Sequence, residues 1–403
     1  MTDKPGEGAD ECRHWAPLSW QSWQRREAGV SRAARYEYPL YTDAYVTEYS
    51  VSIGPFEFIN TLAHDVRDPR MAPGIVLRLD VHPDSDTAPY SVGTDLGQLE
   101  TQAEEWLGLA EHDEVAVLAS LALGIRLRST GATRQFLPDG DPLGQPIEYD
   151  HRPPPWTITS NSTSLVLPGY AEREVCLTEL KDWFDRYRRL PAGDALTLVR
   201  AARNYRDALW IADDDPETAW LWLVSALEAA AVREQITGID KIELLGMWKR
   251  KVKRLIEETG DEVLLRRVAK ELASLGNTTA RYLKLVEVYA PGPPLKRPSE
   301  HLRVDWSPEG LAQAAELIYN YRSRRLHEGT PFPWPMYGAP FHSMAINESV
   351  APERPGGIAS HSGRNRWTAE DLPMHLHIYT YLTRGTLLNW WKVRAERAED
   401  QPA

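Results

Sequence analysis

Residues 215–233 read DPETAWLWLVSALEAAAVR, and this stretch determines how the carboxyl-terminal half of the chain is interpreted. Asp215 followed by Pro216 is typical of a helix start, because an aspartate side chain caps the first free N–H groups and proline fits the first helical position. Apolar side chains then recur at helical spacing, at Trp220, Leu223, Val224, Leu227 and Ala231. The stretch therefore predicts a helix that buries one face.

Helical spacing extends in both directions from this stretch. Ser307 and Pro308 repeat the cap-and-proline signal, and Thr368 with Asp371 resembles a capping box that opens a last helix. A second helix start is expected at Asp194. The further helices are expected at about 177–190, 194–212, 241–258, 261–274, 278–289, 308–328 and 368–398. The carboxyl-terminal half is thus predicted to be an all-helical bundle.

The amino-terminal part of the chain has the composition of β-strands. Residues 36–53 (YEYPLYTDAYVTEYSVSI) are dense in Tyr, Val and Thr, with apolar positions that often alternate. Residues 74–81 and 156–167 look similar, whereas 96–109 favours a helix and 115–128 fits either a buried helix or a strand. A β-rich mixed region is therefore predicted here.

These patterns together predict an α+β fold. A chain of 403 residues is long enough for two or three domains. We predict a β-rich mixed domain at residues 1–190 and an all-α helical bundle at residues 191–403.

Overall composition excludes several classes of protein. The longest apolar run, residues 115–125, falls far short of the ~20 residues of a membrane span. Residues 1–14 are polar and partly acidic, unlike a signal peptide, so we expect no leader. Cys12 and Cys176 are the two cysteines and form no disulfide framework, which suits a reducing compartment. We therefore expect a soluble, cytoplasmic protein that does not bind membranes.

The net charge of −12 is unevenly distributed along the chain. Residues 1–200 carry 19 Lys and Arg against 31 Asp and Glu, whereas residues 201–403 carry 27 of each kind. This distribution excludes a uniformly basic surface for nucleic acid. Any contact with phosphate groups must come from a local cluster.

The common catalytic signatures are absent from the sequence. There is no GxxxxGK[ST] loop, no GxGxxG after a strand, and no HExxH, GxSxG or paired CxxC motif. His375 and His377 are the only close histidine pair, and two residues apart on a helix they would point ~200° away from each other. We therefore predict no metal site and no cofactor.

Residues 319–329 (YNYRSRRLHEG) could carry chemistry. They end an amphipathic helix, and at 100° per residue one face carries Asn320, Ser323, Arg324 and His327. Arg322 lies further round the helix, with a side chain long enough to reach back. Neighbouring guanidinium groups disfavour a charged imidazole, which keeps the ring available as a base, and the planar arginine fork suits phosphate. An alternative interpretation is a cationic last turn that complements the helix dipole.

The run Arg322-Ser323-Arg324-Arg325-Leu326-His327 resembles the R-x4–6-H signature of the HEPN superfamily (higher eukaryotes and prokaryotes nucleotide-binding). The helix at residues 220–229, with its apolar-Glu-apolar end at Glu228, resembles an early helix of that superfamily. The order of helices over residues 195–395 is similar to the ApeA-like branch, whose defence proteins also place a β-rich region ahead of the bundle.

The resemblance implies a helical bundle that dimerises and brings two such segments together across a cleft. Members of this kind are commonly metal-independent endoribonucleases in abortive-infection, antiphage and toxin-like systems. Carried over to this chain, His327 would activate the ribose 2′-hydroxyl or protonate the leaving oxygen, and Arg322 would stabilise charge at phosphorus. Arg324 competes with Arg322 for that role. The expected partners are an RNA substrate, a second copy of the chain and an unknown trigger at the amino-terminal domain.

Other residues offer weaker support. Five of the six residues 249–254 are basic, and we predict nucleic-acid contacts there from Lys249, Arg250, Lys253 and Arg254. The alternative is a solvated face with Lys253–Glu257 and Arg254–Glu258 pairs. Glu228 either pairs with an arginine of the site or flanks the core. The Pro- and Gly-rich stretch 330–366 covers the site, recognises a ligand, or only connects two helices.

Two rival interpretations remain beside the nuclease. The first is a non-catalytic HEPN protein that binds a nucleotide or serves as a dimerisation scaffold. The second is a helical adaptor with no role in nucleic-acid binding, which the acidic overall charge permits. The fate of RNA separates the nuclease from both.

Overall fold

The computed structural model describes residues 16–61, 72–83, 107–147, 165–170, 173–234, 240–248, 250–340, 350–356, 358–359 and 366–400. An antiparallel sheet region precedes a helical carboxyl-terminal region, which confirms the predicted α+β class. The chain forms two compact units. The first comprises residues 1–162, 169–206 and 391–403, and the second comprises residues 163–168 and 207–390.

The first unit is built on an antiparallel sheet. Its strands in chain order are β1 (Ala34–Thr42), β2 (Tyr45–Thr47), β3 (Ser50–Ile53), β4 (Phe56–Asn60), β5 (Ala72–Val81), β6 (Arg128–Ser129), β7 (Arg134–Phe136), β8 (Gln145–Pro146) and β9 (Glu174–Cys176). The sheet order is β3-β4-β5-β1-β7-β8, with β6 also paired to β1, while β2 and β9 form a separate parallel pair. The strands expected within residues 36–53 and 74–81 are confirmed.

Among the described residues, three helices pack on this sheet and on one another: α1 (Leu18–Glu27), α2 (Glu111–Leu123) and α3 (Glu179–Arg189). Aromatic rings form the contact, with Trp23 5.6 Å and Phe184 5.7 Å from Phe56 between ring centroids. The ambiguous apolar run at 115–128 is therefore mainly helix. Its residues from Val115 to Leu123 are fully buried, which explains why no amphipathic period marked it as a helix.

Most of the helix expected at 96–109 and of the strand expected at 156–167 lies outside the described residues. The described end of the latter, residues 165–167, forms no strand. Helix α1 is described but carries no sequence signal that we recognised.

The start of α1 is held by a carboxylate from another helix. Pro17 precedes α1 and offers no side-chain cap. Instead, Glu114 of α2 accepts hydrogen bonds from the Leu18 and Ser19 N–H groups at 3.2 and 2.8 Å. Because the first N–H groups of a helix have no partner within it, this buried carboxylate takes the place of a local cap.

Burial perturbs the two glutamates at this point, and a pH dependence follows. Desolvation raises the pKa of Glu114 to about 7, against the hydrogen bonds from Ser19 and Leu18, and raises the pKa of Glu111 to about 8, with the neighbouring Glu114 charge adding to the shift. A carboxyl with a raised native pKa holds a proton that the unfolded chain has already lost, so its contribution to stability is present below about pH 4.5 and is lost as pH rises through 7 to 8.

We therefore expect the free energy of unfolding to fall between pH 5 and pH 9. Replacing Glu111 with Gln should reduce that fall by about 4 kcal/mol, because the pKa of about 8 lies about three units above pH 5 and each unit corresponds to about 1.4 kcal/mol. Urea denaturation at pH 5, 7 and 9 measures the effect. The exposed Glu309→Gln variant is the control and should keep the wild-type slope. A slope that Glu111→Gln leaves unchanged would contradict this assignment.

The helices from residue 192 onward are α4 (Ala192–Ile211), α5 (Pro216–Ala231), α6 (Lys241–Trp248), α7 (Arg250–Glu257), α8 (Glu262–Tyr289), α9 (Pro308–Glu328), α10 (Trp334–Tyr337) and α11 (Leu376–Glu399). Two 3₁₀ turns, at Glu300–Leu302 and Ala369–Asp371, and a short pair of strands, β10 (Ile358–Ala359) and β11 (Arg366–Trp367), complete the described elements.

The core of the second unit is aromatic. The Trp220 ring of α5 is stacked against Phe332 at 5.6 Å and against Tyr379 at 4.7 Å. The hydroxyl groups of Tyr379 and Tyr282 are hydrogen-bonded at 3.0 Å. The Tyr282 ring lies 5.0 Å from that of Tyr319 on α9. A continuous set of rings thus ties α5, α8, α9 and α11 together.

Local caps confirm two of the expected helix starts. The Asp215 carboxylate accepts from the Thr218 N–H at 3.0 Å, and the Ser307 hydroxyl accepts from the Gly310 N–H at 3.1 Å. Both helices have a proline at the first position, as expected. The predicted starts of α5 and α9 are therefore correct to the residue.

Three predicted boundaries are wrong. The helices expected at 261–274 and 278–289 are one helix, α8, because the cost of a single glycine, about 1 kcal/mol, does not break a helix held by packing. The capping box at Thr368 is present but opens only a 3₁₀ turn, since Pro373 intervenes before α11 begins. Helix α4 begins two residues before Asp194. Helices α6 and α7 lie within the helix expected at 241–258, and residue 249 between them is outside the described residues.

Candidate functional site

The candidate site lies at the carboxyl-terminal end of α9, within the second unit. Gly329 ends this helix in the left-handed conformation, with φ of 69°, and its N–H bonds the Arg324 carbonyl. Glycine adopts this conformation at little cost, so the chain can turn sharply away. The predicted end of the helix is confirmed.

Arg322 is held by Glu228. Its Nη2 donates to Glu228 Oε2 at 2.8 Å, and its guanidinium lies over the Tyr319 ring at 5.6 Å from the centroid. The Tyr319 hydroxyl donates to the other carboxylate oxygen of Glu228 at 2.9 Å. The side chains of Arg322 and Glu228 are only 22% and 14% exposed. Of the two interpretations for Glu228, the pairing with an arginine is therefore the one observed.

The environment of Tyr319 keeps its phenol protonated. Burial raises the pKa of Tyr319 to about 12, with the Glu228 charge and hydrogen bond adding to the shift. The phenol is therefore neutral over the physiological range and always available as a donor. Arg322 and Tyr319 together satisfy both oxygens of Glu228.

Arg325 is also paired with a carboxylate of α5. Its Nη2 lies 3.5 Å from Glu217 Oε2, and the other oxygen of Glu217 accepts the Phe332 N–H at 3.0 Å. Glu217 and Glu228 are eleven residues apart, close to three helical turns, so they share one face of α5. Glu228 and Glu217 therefore neutralise two of the three arginines in residues 319–329. Glu217 also holds the backbone that follows Gly329, through its hydrogen bond to the Phe332 N–H.

Arg324 differs from both neighbours. Its side chain is exposed, and its guanidinium lies over the Tyr321 ring at 4.8 Å from the centroid. Among the described residues it forms no ion pair with a carboxylate. The Tyr321 hydroxyl donates to the Asp371 carbonyl at 2.8 Å, which holds the ring under the guanidinium. Arg324 is thus the unneutralised cation of this helix end.

His327 is exposed at the last turn of α9. Within the described part of the chain, no hydrogen bond or ion pair engages its imidazole. At 100° per residue, Arg324 lies 60° from His327 around the helix and Arg322 lies 140° from it. Within a single copy of the chain, His327 and Arg324 therefore lie together on the solvent face of α9, while Arg322 points toward α5. Asn320 and Ser323 are half-buried on the same helix.

The predicted basic cluster is only partly described. Lys249 lies outside the described residues, and Arg250 begins α7. Lys253 and Arg254 each form an ion pair four residues along, with Glu257 and Glu258, both at 3.7 Å. These are the pairs that the solvated-face interpretation predicts, so these two side chains do not form a cluster of unpaired positive charge.

The histidine pair is arranged differently from the prediction. The rings of His375 and His377 are stacked with centroids 5.9 Å apart, because His375 precedes α11 and does not follow the helical rotation. Burial, with a contribution from His377, lowers the pKa of His375 to about 3.

Among the described residues, no group of three or more His, Cys, Asp or Glu side chains could hold a metal ion. No helix of that part is long and apolar enough to cross a membrane.

Sequence reasoning missed Glu217, Tyr319 and Tyr321. A signal was available for the first, because the eleven-residue spacing from Glu228 places both carboxylates on one helix face opposite the arginine-rich segment. The two tyrosines carry no such signal, since their contacts depend on how α5, α8 and α9 pack.

Comparison with protein-family models, with curated proteins and with solved structures returns no match to this chain. Membership of the HEPN superfamily therefore stays a prediction from the residues themselves.

Proposed function

We propose that this protein is a HEPN-type endoribonuclease that cleaves RNA without a metal ion. The observation that supports it most directly is the exposed imidazole of His327 on the same helix face as the unneutralised guanidinium of Arg324. An imidazole moves protons near neutral pH, and a guanidinium binds phosphate oxygens through paired N–H donors. These are the two groups that phosphodiester cleavage by internal attack requires.

In the proposed reaction, the ribose 2′-oxygen attacks the adjacent phosphorus and its proton passes to an imidazole. The bond from phosphorus to the 5′-oxygen breaks, and that oxygen takes a proton from an imidazolium. The products are a 2′,3′-cyclic phosphate and a 5′-hydroxyl end. DNA cannot react in this way, because it lacks the 2′-hydroxyl.

A second copy of the chain would complete the site. A single helix end carries one imidazole, whereas the reaction uses one proton acceptor and one proton donor. Two α9 ends facing each other would supply both, together with two copies of Arg324. We propose a homodimer through the helical bundle on this ground.

The pairing of Arg322 with Glu228 assigns the arginines different parts in this proposal. A guanidinium that is already paired with a carboxylate gains less binding free energy from a phosphate than an unpaired guanidinium does. Arg324 is therefore the proposed phosphate contact. Arg322 is proposed as a positioning residue that holds the helix end against α5.

The same pairing favours the second candidate, a non-catalytic HEPN scaffold that binds a nucleotide. In a scaffold the Glu228–Arg322 ion pair would serve stability alone, and the exposed groups would bind a phosphate without cleaving it.

We also propose that the protein acts in defence, is located in the cytoplasm and responds to a trigger at the amino-terminal unit. These three proposals rest on the family resemblance and not on this site.

Incubation of the full chain with RNA tests the proposal. We expect cleavage that persists in excess EDTA, leaves 2′,3′-cyclic phosphate ends and spares DNA of the same sequence. Mass spectrometry of the products identifies the ends. Binding of RNA without any cleavage would favour the scaffold, and absence of both would leave the adaptor.

A further inference from the structure

Among the tryptophans whose side chains the structure describes, Trp334 alone is exposed, at 45% of its surface. By contrast, Trp220, Trp390 and Trp391 are fully buried. An indole costs more to expose than most side chains, because it carries the largest apolar surface. Its exposure beside buried residues leaves an aromatic face that a partner can contact.

The backbone that carries Trp334 is fixed on both sides. Phe332 is buried against Trp220, and its N–H is bound by Glu217. Trp334 opens the short helix α10, whose next residues, Pro335 and Met336, are buried. The indole is therefore presented from an anchored turn.

The same turn lies beside the candidate site. The Phe332 ring is 6.1 Å from the Tyr321 ring, on which the guanidinium of Arg324 rests at 4.8 Å. At the other end of α10, Tyr337 lies within reach of the charges of Glu217 and Arg325. The exposed indole, the unneutralised guanidinium and the exposed imidazole thus belong to one end of the second unit.

An exposed indole beside a cation matches the two parts of a nucleotide, whose base is flat and apolar on its faces and whose phosphate is anionic. A duplex covers the faces of its own bases, so the base that stacks here must be unpaired.

We propose that Trp334 is the stacking platform for an unpaired base of a single-stranded nucleic acid whose phosphate lies at Arg324 and His327. This inference rests on the proposed function for its RNA substrate, and it restricts that substrate to single-stranded segments and loops. Stacking tolerates any base, so cleavage would depend on exposure of the strand more than on its sequence.

A probe that cannot be cleaved separates this inference from the nuclease. We would measure, by fluorescence anisotropy, the binding of a labelled single-stranded 2′-O-methyl oligonucleotide and of a hairpin that holds the same sequence in a duplex. Trp334→Ala should weaken binding of the single strand by about 5- to 150-fold, and Trp334→Phe should restore most of it. Tyr49→Ala, which removes an 83% exposed aromatic side chain of the first unit, is the control and should have no effect.

Three outcomes would overturn the stacking platform: equal binding of strand and hairpin, no effect of Trp334→Ala, or a Trp334→Ala variant that dissociates from dimer to monomer in light scattering. The last would assign the indole to a second copy of the chain. Single-strand binding that depends on Trp334, without cleavage of ordinary RNA, would overturn the nuclease and leave the platform standing.

Discussion

Replacing His327 with alanine is expected to lower the rate of RNA cleavage by a factor of about 10² to 10⁴, the usual contribution of a general acid or base. The ring is exposed and engages no partner within the described part of the chain, so its removal should leave the thermal midpoint of unfolding unchanged. Single-turnover cleavage of a labelled RNA, measured beside a melting curve, gives both quantities.

The matched control is His301→Ala. His301 is another exposed histidine of the second unit, in the first 3₁₀ turn. The His301→Ala variant should cleave RNA at the wild-type rate. Cleavage that survives His327→Ala would remove the imidazole from the mechanism and would point to a contaminating nuclease.

Arginines 322 and 324 should give opposite results when each is replaced with alanine. Loss of Arg324 should lower cleavage by about 10² to 10³, the cost of one transition-state donor, with little change in stability. Loss of Arg322 leaves the Glu228 carboxylate, 14% exposed, without its cation, and should destabilise the chain by about 1–3 kcal/mol. Cleavage rates and urea denaturation of the two variants make the comparison.

Two further variants control the comparison of Arg322→Ala with Arg324→Ala. Glu228→Gln combined with Arg322→Ala should recover part of the lost stability, because no unpaired charge then remains. Arg266→Ala, which removes an arginine of α8 with a 72% exposed side chain, controls for loss of a surface cation. If Arg322→Ala instead abolishes cleavage in a chain of normal stability, Arg322 is the arginine that contacts phosphate.

Local chemistry determined which features could be predicted from the sequence. The starts of α5 and α9 depend on a side chain and a proline within three residues of each other, and both were predicted correctly. The end of α9 depends on Gly329 alone. The strands of the first unit were predicted because their alternation reflects one buried face.

Features that depend on packing were not predictable in this way. The continuity of α8 across Gly276 is stabilised by tertiary contacts, and the sequence shows only the glycine. Within the candidate site, the sequence indicates the segment 319–329. It does not indicate that two of its arginines, Arg322 and Arg325, are neutralised while Arg324 is not. That division depends on Glu217 and Glu228, about a hundred residues earlier in the chain.

The carboxylate of Glu114 has a consequence for the growing polypeptide. Helix α1 is synthesised before α2, yet the group of α2 that accepts its leading N–H bonds is 95 residues further along. At the usual speed of translation, that interval takes roughly 5 to 20 s. During that interval the nascent α1 segment lacks its partner, so its amino-terminal turn is completed only after Glu114 has left the ribosome.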